Sequence, residues 1–217
     1  MTQNNYFHKG KFITFEGIDY SGKSVQSKIL YQKLIDHNIE TCLLRDPGTT
    51  PISERIRDIL LDNKNNEMSE WTELLLYEAA RAQMVQETIK PALEAGKIVI
   101  CDRFYDSTTA YQGYGRQLDL ETVSRANSLG ACGLIPDLTY IIDVDVNTAI
   151  KRRQKLNEKA DRLESEGMEF QNRVRDGYLS IAKLESQRIF LLNGEQAIEK
   201  LSEEIFYIFN NRFKLIE

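Results

Sequence analysis

The sequence predicts an α/β fold: a five-stranded parallel sheet with helices on both faces, three layers in all. Three observations predict it. A glycine-rich phosphate-loop pattern, Gly17-x-x-x-x-Gly22-Lys23-Ser24, stands between an apolar run and a helical one. Four further short apolar runs recur down the chain with helical patterns between them. Acidic and basic residues then follow the ends of those runs, where open α/β sheets bind ligands.

Taken in order, residues 12–15 are β-branched and aromatic and make the first strand, and residues 25–35 carry Ile29, Leu30, Leu34 and Ile35 on one helical face. Residues 39–44 form a second strand, ending in a loop marked by Pro47 and Gly48. Ser53 is placed to cap a short helix through Leu61, and residues 62–66 are a polar break. A long helical pattern over 69–90 carries Trp71, Leu74, Leu75, Met84 and Val85 as packing residues, a stripe that belongs to the core or to a dimer interface. Gly96 ends that region. Residues 97–101 are a continuous apolar run, read as a fully buried third strand, and lead into Asp102-Arg103. Helical segments follow over 105–113 and 119–129. Pro136-Asp137 introduces the strand 138–142, and Asp143 closes it. A helix over 147–156 runs into a highly charged stretch, 154–166; then come a helix over 169–184, a fifth strand over 189–192 and an amphipathic helix over 197–209.

No repeat or linker divides the 217 residues, so residues 1–217 read as one domain. With 41% hydrophobic residues, 28% charged residues and a net charge of -5, the chain reads as a soluble globular protein. That charge argues against a nucleic-acid partner and requires any phosphate site to be locally basic. The first ten residues lack the apolar core of a secretory signal, and no run approaches a membrane span. Cys42, Cys101 and Cys132 lack CxxC spacing, and His8 and His37 have no ligand-like neighbours, which argues against zinc. Cys42 and Cys101, inside predicted strands, read as buried reduced thiols, so the expected compartment is the cytoplasm.

The chemistry begins at the loop. Gly17, Ile18, Asp19, Tyr20, Ser21 and Gly22 offer backbone N–H groups to a phosphate, Lys23 supplies a cation, Ser24 can ligate magnesium, and Val25 starts the helix. Such a loop serves GTPases, ATPases and small-molecule kinases alike. After the third strand, Asp102 is placed to hold magnesium and Arg103 to clamp an anionic substrate; the competing reading of this dipeptide is a structural ion pair. The basic run Lys151-Arg152-Arg153, with Lys155, Lys159 and Asp161-Arg162-Leu163-Glu164, would elsewhere be a solvated helix. Beside a phosphate loop it reads as a mobile lid over residues 151–166 that brings charge and excludes water.

These residues closely resemble the thymidylate kinases, almost end to end. The resemblance rests on Phe15-Glu16-Gly17-Ile18-Asp19 with Ser21-Gly22-Lys23-Ser24, Arg45-x-Pro47-Gly48, Ala80-Arg81-Ala82-Gln83 and Asp102-Arg103-Phe104. It continues through Ser107-x-x-Ala110-Tyr111-Gln112-Gly113 with Gly115-Arg116, Pro136-Asp137-Leu138, Asp161-Arg162-Leu163-Glu164, Arg173-Val174-Arg175 and Gly177-Tyr178. It implies a P-loop nucleotide-kinase fold, a homodimer, and transfer of a phosphoryl group from ATP to dTMP with Mg2+. It also implies site roles. Tyr77 and Arg81, four apart on one helix, would stack on the thymine and donate to its O4, where cytosine would oppose donor with donor. Ser107, Thr108 and Gln112 fall on the segment lining the acceptor, Tyr111 against the sugar, Asp19 near the 3′-hydroxyl and Pro47 near the 5-methyl group. Arg45 and Arg103 would clamp the acceptor phosphate.

The chain departs from the family pattern in places. Tyr77 stands where most relatives have phenylalanine, and Thr49 where many bacterial relatives have a second glycine. Tyr20 replaces the loop arginine of one branch. The resemblance is therefore to the bacterial type that carries its arginine in the lid, which assigns that charge to Arg152 or Arg153. Two other functions compete: a nucleoside kinase using Glu16 as base, which would leave the arginine clamps without purpose, and a nucleotide-binding module lacking an acceptor pocket.

Overall fold

A computed structural model describes residues 9–156 and 160–216. His8 and Lys159, noted above, lie outside the described residues. Five strands form one parallel sheet in the order β2-β3-β1-β4-β5: β1 Lys11–Glu16, β2 Thr41–Arg45, β3 Ile98–Asp102, β4 Leu138–Asp143 and β5 Ile189–Asn193. β1, β3 and β4 are covered on both faces, which is why they read as unbroken apolar runs rather than alternations.

The first crossover runs from β1 to β2 and the third from β3 to β4, to opposite sides of β1, so a ligand crevice opens beyond the carboxyl ends of the central strands. The register brings those ends level. Phe15 pairs with Asp102, and Arg45 pairs with Asp102 from the other side. The backbone N–H of Asp46 donates to Asp102 at 3.0 Å and that of Arg103 to Phe15 at 2.9 Å. Glu16, Asp46 and Arg103 therefore leave the sheet at one edge.

Helix α1 (Lys23–Asp36) buries Leu30 and Leu34, one turn apart, against Phe15, Tyr140 and helix α9 (Ile198–Phe213). Burying each such leucine is worth about 2 kcal/mol. Helix α2 (Pro51–Leu61) starts earlier than expected. Its N-cap is Thr50, whose hydroxyl accepts from the Ser53 N–H at 3.2 Å, while the Ser53 hydroxyl donates to the Ala80 carbonyl at 2.7 Å. Ser53 thus ties α2 to helix α3 (Glu70–Met84) rather than capping it.

The expected single helix over 69–90 is α3, then a π-helical turn (Val85–Ile89), then α4 (Lys90–Glu94) with Pro91 in its first turn. Leu74, Met84 and Val85 are buried, but Trp71 and Leu75 are 48% and 63% exposed, so the stripe is split between core and surface. The segment after β3 is α5 (Tyr105–Thr108) continuing as a π-helical turn (Thr109–Gly115). Helices α6 (Leu120–Gly130), α7 (Val146–Leu156) and α8 (Met168–Leu184) complete the layers. Cys101 is buried as expected, whereas Cys42 is only half-buried because β2 is an edge strand. Among the described residues no helix is long and apolar enough to cross a membrane.

Candidate functional site

The loop between β1 and α1 turns back at two glycines. Gly17 has φ 133°, and a Cβ there would lie 2.4 Å from the Ile142 carbonyl of β4; Gly22, the N-cap of α1, has φ 104°. The loop can therefore lie against the sheet and present the N-terminus of α1, a position suited to anions. Lys23 is 6% exposed and curls back over the loop, its Nζ 3.4 Å from the Ile18 carbonyl and 3.4 Å from Asp19 Oδ1. Burial and the like charge of Arg103 push its ammonium below the usual range, against the pull of Asp19 and Asp102. Ser24 and Val25 are exposed at the helix start.

Asp19 joins this loop to the next layer. Its Oδ1 takes Arg103 Nη2, and its Oδ2 accepts from the Tyr111 hydroxyl at 2.8 Å. Burial would raise this carboxyl, but Arg103 and Lys23 overcome it and hold Asp19 ionised far below the usual carboxylate range. Arg103 has φ 72°, a conformation costing a non-glycine residue about 1–2 kcal/mol. Its guanidinium offsets that through Gly17 O, Ser107 Oγ, Tyr178 OH and Tyr111 OH at 2.8–3.1 Å besides Asp19.

A cavity opens beside this junction. Asp19, Pro47, Tyr77, Arg81, Arg103, Ser107, Thr108, Tyr111 and Gln112 line it, which is every acceptor residue expected from sequence except Arg45. Arg45 instead lies on the surface, paired with Glu54 at 2.8 Å, because it ends an edge strand. The residue that takes its place in the wall is Arg57, whose Nη1 donates to the Pro47 carbonyl at 2.9 Å. Burial, with Arg45 and Arg103 as like charges, lowers its pKa. A signal for Arg57 was present: it falls four residues after the buried Ser53 and three before the buried Leu60, on the face of α2 that packs inward.

Arg81 is 1% exposed and already engaged. Its Nε donates to Asp46 Oδ2 at 2.6 Å, its Nη1 to Glu78 and its Nη2 to Thr108 Oγ1 at 2.8 Å, which leaves two of its N–H groups for the cavity. Tyr77, one turn earlier, makes no hydrogen bond through its hydroxyl among the described residues; burial, with Glu73 and Asp161 nearby, raises its pKa. Thr49 has φ 77°, the conformation that a glycine there would relieve, and its hydroxyl is bonded to the main chain of Arg45 at both N and O.

Glu16 is fully buried beneath the cavity and lines no part of it. Its carboxylate accepts from Phe104 N (2.7 Å), Ser107 Oγ (2.6 Å) and Tyr178 OH (3.0 Å). Burial and the charge of Asp106 push it up to about 7, against Arg103 and those donors. A base for an acceptor hydroxyl would need to face the cavity, and Glu16 does not.

The arginines expected of a lid diverge. Arg152 donates to the carbonyls of Tyr20 (3.1 Å), Ser21 (2.9 Å) and Gly194 (2.7 Å), bracing the phosphate loop from outside. Arg153 donates to the Glu164 carbonyl at 3.0 Å and lines a second cavity with Asp19, Tyr20 and Met168. Tyr20, with φ 63°, reaches Glu164 Oε2 at 3.3 Å. Asp161 and Leu163 line the first cavity, so the segment 160–166 contributes to its wall.

The chemistry at the end of β3 suits a divalent cation. Asp102 Oδ1 is buried without a hydrogen-bond partner, in the field of Lys23, at the end of the strand beside the loop that carries Ser24. One carboxylate and one hydroxyl, completed by phosphate oxygens and water, are a donor set suited to magnesium.

The sequence model described as thymidylate kinase matches residues 15–205. The chain is 47% identical over 197 residues to the thymidylate kinase of Thermoanaerobacter sp. (strain X514), covering 91% of this chain and 96% of that protein. It is 46% identical over 201 residues to that of Geotalea uraniireducens (strain Rf4), covering 90% and 94%. Among solved structures, thymidylate kinase from Ehrlichia chaffeensis superposes with a TM-score of 0.77 at 36% identity, covering 92% of this chain and 98% of that one.

Proposed function

The chain belongs to the thymidylate kinase family, and on that premise we propose that it transfers the γ-phosphoryl group of ATP to dTMP, giving dTDP. One observation carries the reading: Asp19, inside the phosphate loop, also lines the cavity that holds Tyr77, Arg81 and Gln112, so donor and acceptor sites share a wall. ATP binds with its outer phosphates in the cradle from Gly17 to Ser24, supported by the two left-handed glycines and by Lys23. The acceptor's base lies against Tyr77, with the two N–H groups left on Arg81 for its O4, and its phosphate lies toward Arg57 and Arg103.

The attacking atom is a phosphate oxygen, already anionic near neutral pH, so no general base is required. Asp19, ionised and fixed by Arg103 and Tyr111, orients the acceptor rather than removing a proton. Lys23 and Arg103 offset charge on the transferring group. Asp102 and Ser24 would hold Mg2+, which neutralises phosphate charge when bound. Arg152 keeps the loop in its binding shape through its two carbonyls, and Arg153 faces the second cavity beside the loop.

The single domain spans 1–217 with a lid formed from 151–166. The assembly is a homodimer, a reading supported by exposed Ile52 and Ile59 on α2, Trp71 and Leu75 on α3, and Leu129 on α6, three helices that pack side by side. The compartment is the cytoplasm, a reading supported by three free cysteines. Coupled assays offering dTMP, dUMP, dGMP and thymidine separately test the activity. Turnover of dTMP is expected; turnover of thymidine alone, or of no acceptor, refutes it. Light scattering tests the dimer.

A further inference from the structure

Glu73 is the most heavily bonded carboxylate in the neighbourhood of the cavity, yet it lines no part of it. It is 1% exposed and stands one turn before Tyr77 on α3, so it faces the same side of that helix. Its Oε1 accepts from Gln112 Nε2 at 2.8 Å and Arg116 Nε at 3.2 Å. Its Oε2 accepts from Arg116 Nη2 at 3.1 Å and is ion-paired with Arg162 Nη1 at 2.6 Å. A carboxylate has about four acceptor positions. Three are taken by hydrogen bonds, one of them from the cavity residue Gln112, and the ion pair with Arg162 ties the carboxylate to the segment beside the cavity.

That segment is fastened from the same side elsewhere. Arg162 Nε donates to the Leu60 carbonyl at 2.9 Å, Asn63 Nδ2 to the Ala160 carbonyl at 3.0 Å, and Arg116 Nη1 to Glu166 Oε1 at 2.5 Å. Toward the phosphate loop and α7 it meets Tyr20, through Glu164 at 3.3 Å, and Arg153, through the Glu164 carbonyl at 3.0 Å. Residues 160–166 are thus built onto the acceptor wall, with Glu73 as the charged pin. Burial would raise the Glu73 carboxyl, but its donors Arg116 and Gln112 prevail and keep it ionised. Arg162 Nη2 is also buried without an acceptor, so the fastening has a bond still to gain.

We propose that Glu73 is a positioning residue that couples occupancy of the acceptor cavity to closure of residues 160–166, through Gln112 on one side and Arg162 on the other. The inference rests on the acceptor reading of that cavity. A ligand that fixes the Gln112 amide fixes the lone pairs that Glu73 turns to Arg116 and Arg162, and charge-assisted hydrogen bonds in a dry site respond strongly to such orientation. By reciprocity, a closed segment must tighten the acceptor by the same factor.

Hydrogen exchange of residues 160–166, measured on the full chain with and without dTMP and without ATP, tests this. In the unmodified protein, saturating dTMP should slow exchange there about fivefold or more, the lower end of ordinary coupling. Glu73→Gln should lose that protection. Arg162→Met, whose side chain meets the Leu60 carbonyl and Glu73, neither of them a lining residue, should lose it too while still binding dTMP by calorimetry, and it carries the test if Glu73→Gln does not fold. Protection that survives in Arg162→Met, or dTMP binding without protection in the unmodified protein, overturns the coupling alone. Absence of dTMP binding by the unmodified protein overturns the acceptor reading and the coupling with it.

Discussion

Replacing Arg81 with methionine separates recognition from architecture. The guanidinium is 1% exposed and neutralises Asp46, itself 1% exposed at its side chain, and Glu78. Even with Arg81 in place, Asp46 Oδ1 and Glu78 Oε2 have no hydrogen-bond partner. Methionine fills much of the volume but leaves two buried carboxylates facing each other, and breaking a buried pair from one side costs about 3–5 kcal/mol. For a chain of this size each kcal/mol moves the melting temperature by about 2–4 °C, so the expected loss is roughly 6–20 °C.

The loss should depend on pH. Burial already raises Asp46 above its ordinary 3.8, with Arg81 pulling the other way, and removing Arg81 raises it further. A carboxyl raised in the folded state contributes stability that is full below its unfolded pKa and is lost as pH rises through the folded one. The Arg81→Met deficit should therefore be larger near about pH 8 than near about pH 5, read by urea melts at both. Equal stability to the unmodified protein, or a deficit that does not change with pH, would refute the view that Arg81 is a buried charge bridge as well as a base reader. Loss of dTMP affinity in this variant has to be read beside its melting curve.

Three further perturbations follow from the geometry. Lys23→Ala should lower turnover at saturating substrates by about 10²-fold or more, and near-normal turnover would mean that the cradle is not catalytic. Glu16→Gln should flatten the pH dependence of stability: the carboxyl is raised from 4.5 to about 7, so it contributes fully below 4.5 and its contribution, on the order of 3 kcal/mol, fades as pH rises through about 7. Urea melts of both proteins across that window check this, and parallel curves would rule it out. Arg152→Ala, which withdraws donors from two loop carbonyls, should reduce kcat/KM for ATP by about tenfold or more, and Arg153→Ala by less; the reverse order in steady-state kinetics would assign the lid charge to Arg153.

The sheet was legible because its signal is local. Each strand is a short run rich in apolar residues, ended by a charged residue in β1 to β4 and by Asn193 in β5, and the loop motif marks the one strand to which the others must be ordered. Helix starts were less so. Ser53 and Thr50 are both competent caps, and which of them caps depends on the Ala80 carbonyl, contributed by a helix that packs from elsewhere in the chain. Trp71 and Leu75 are exposed on this chain while Leu74 and Met84 are buried, because periodicity finds an apolar stripe without saying how wide a partner covers it.

The site divides along the same line. Residues set by the backbone at a strand end, such as Asp19 and Arg103, could be placed from sequence, since the register fixes where they emerge. Arg45 also emerges there, but β2 is an edge strand and its side chain finds Glu54 outside the crevice, whereas Arg57 points in because α2 turns that face toward α3. Helical spacing could have exposed Arg57 by asking which charges fall on buried faces. The same question asked of α3 gives Glu73 and Arg81, eight residues apart and both 1% exposed at their side chains. A buried charge is tolerated only with a partner, so each such position in a helix announces a second residue whose identity is set by tertiary packing. For Glu73 the partners are Arg116 and Gln112 from the segment after β3 and Arg162 from residues 160–166, so a helix-face oddity in the sequence marks a junction of three separate stretches of chain.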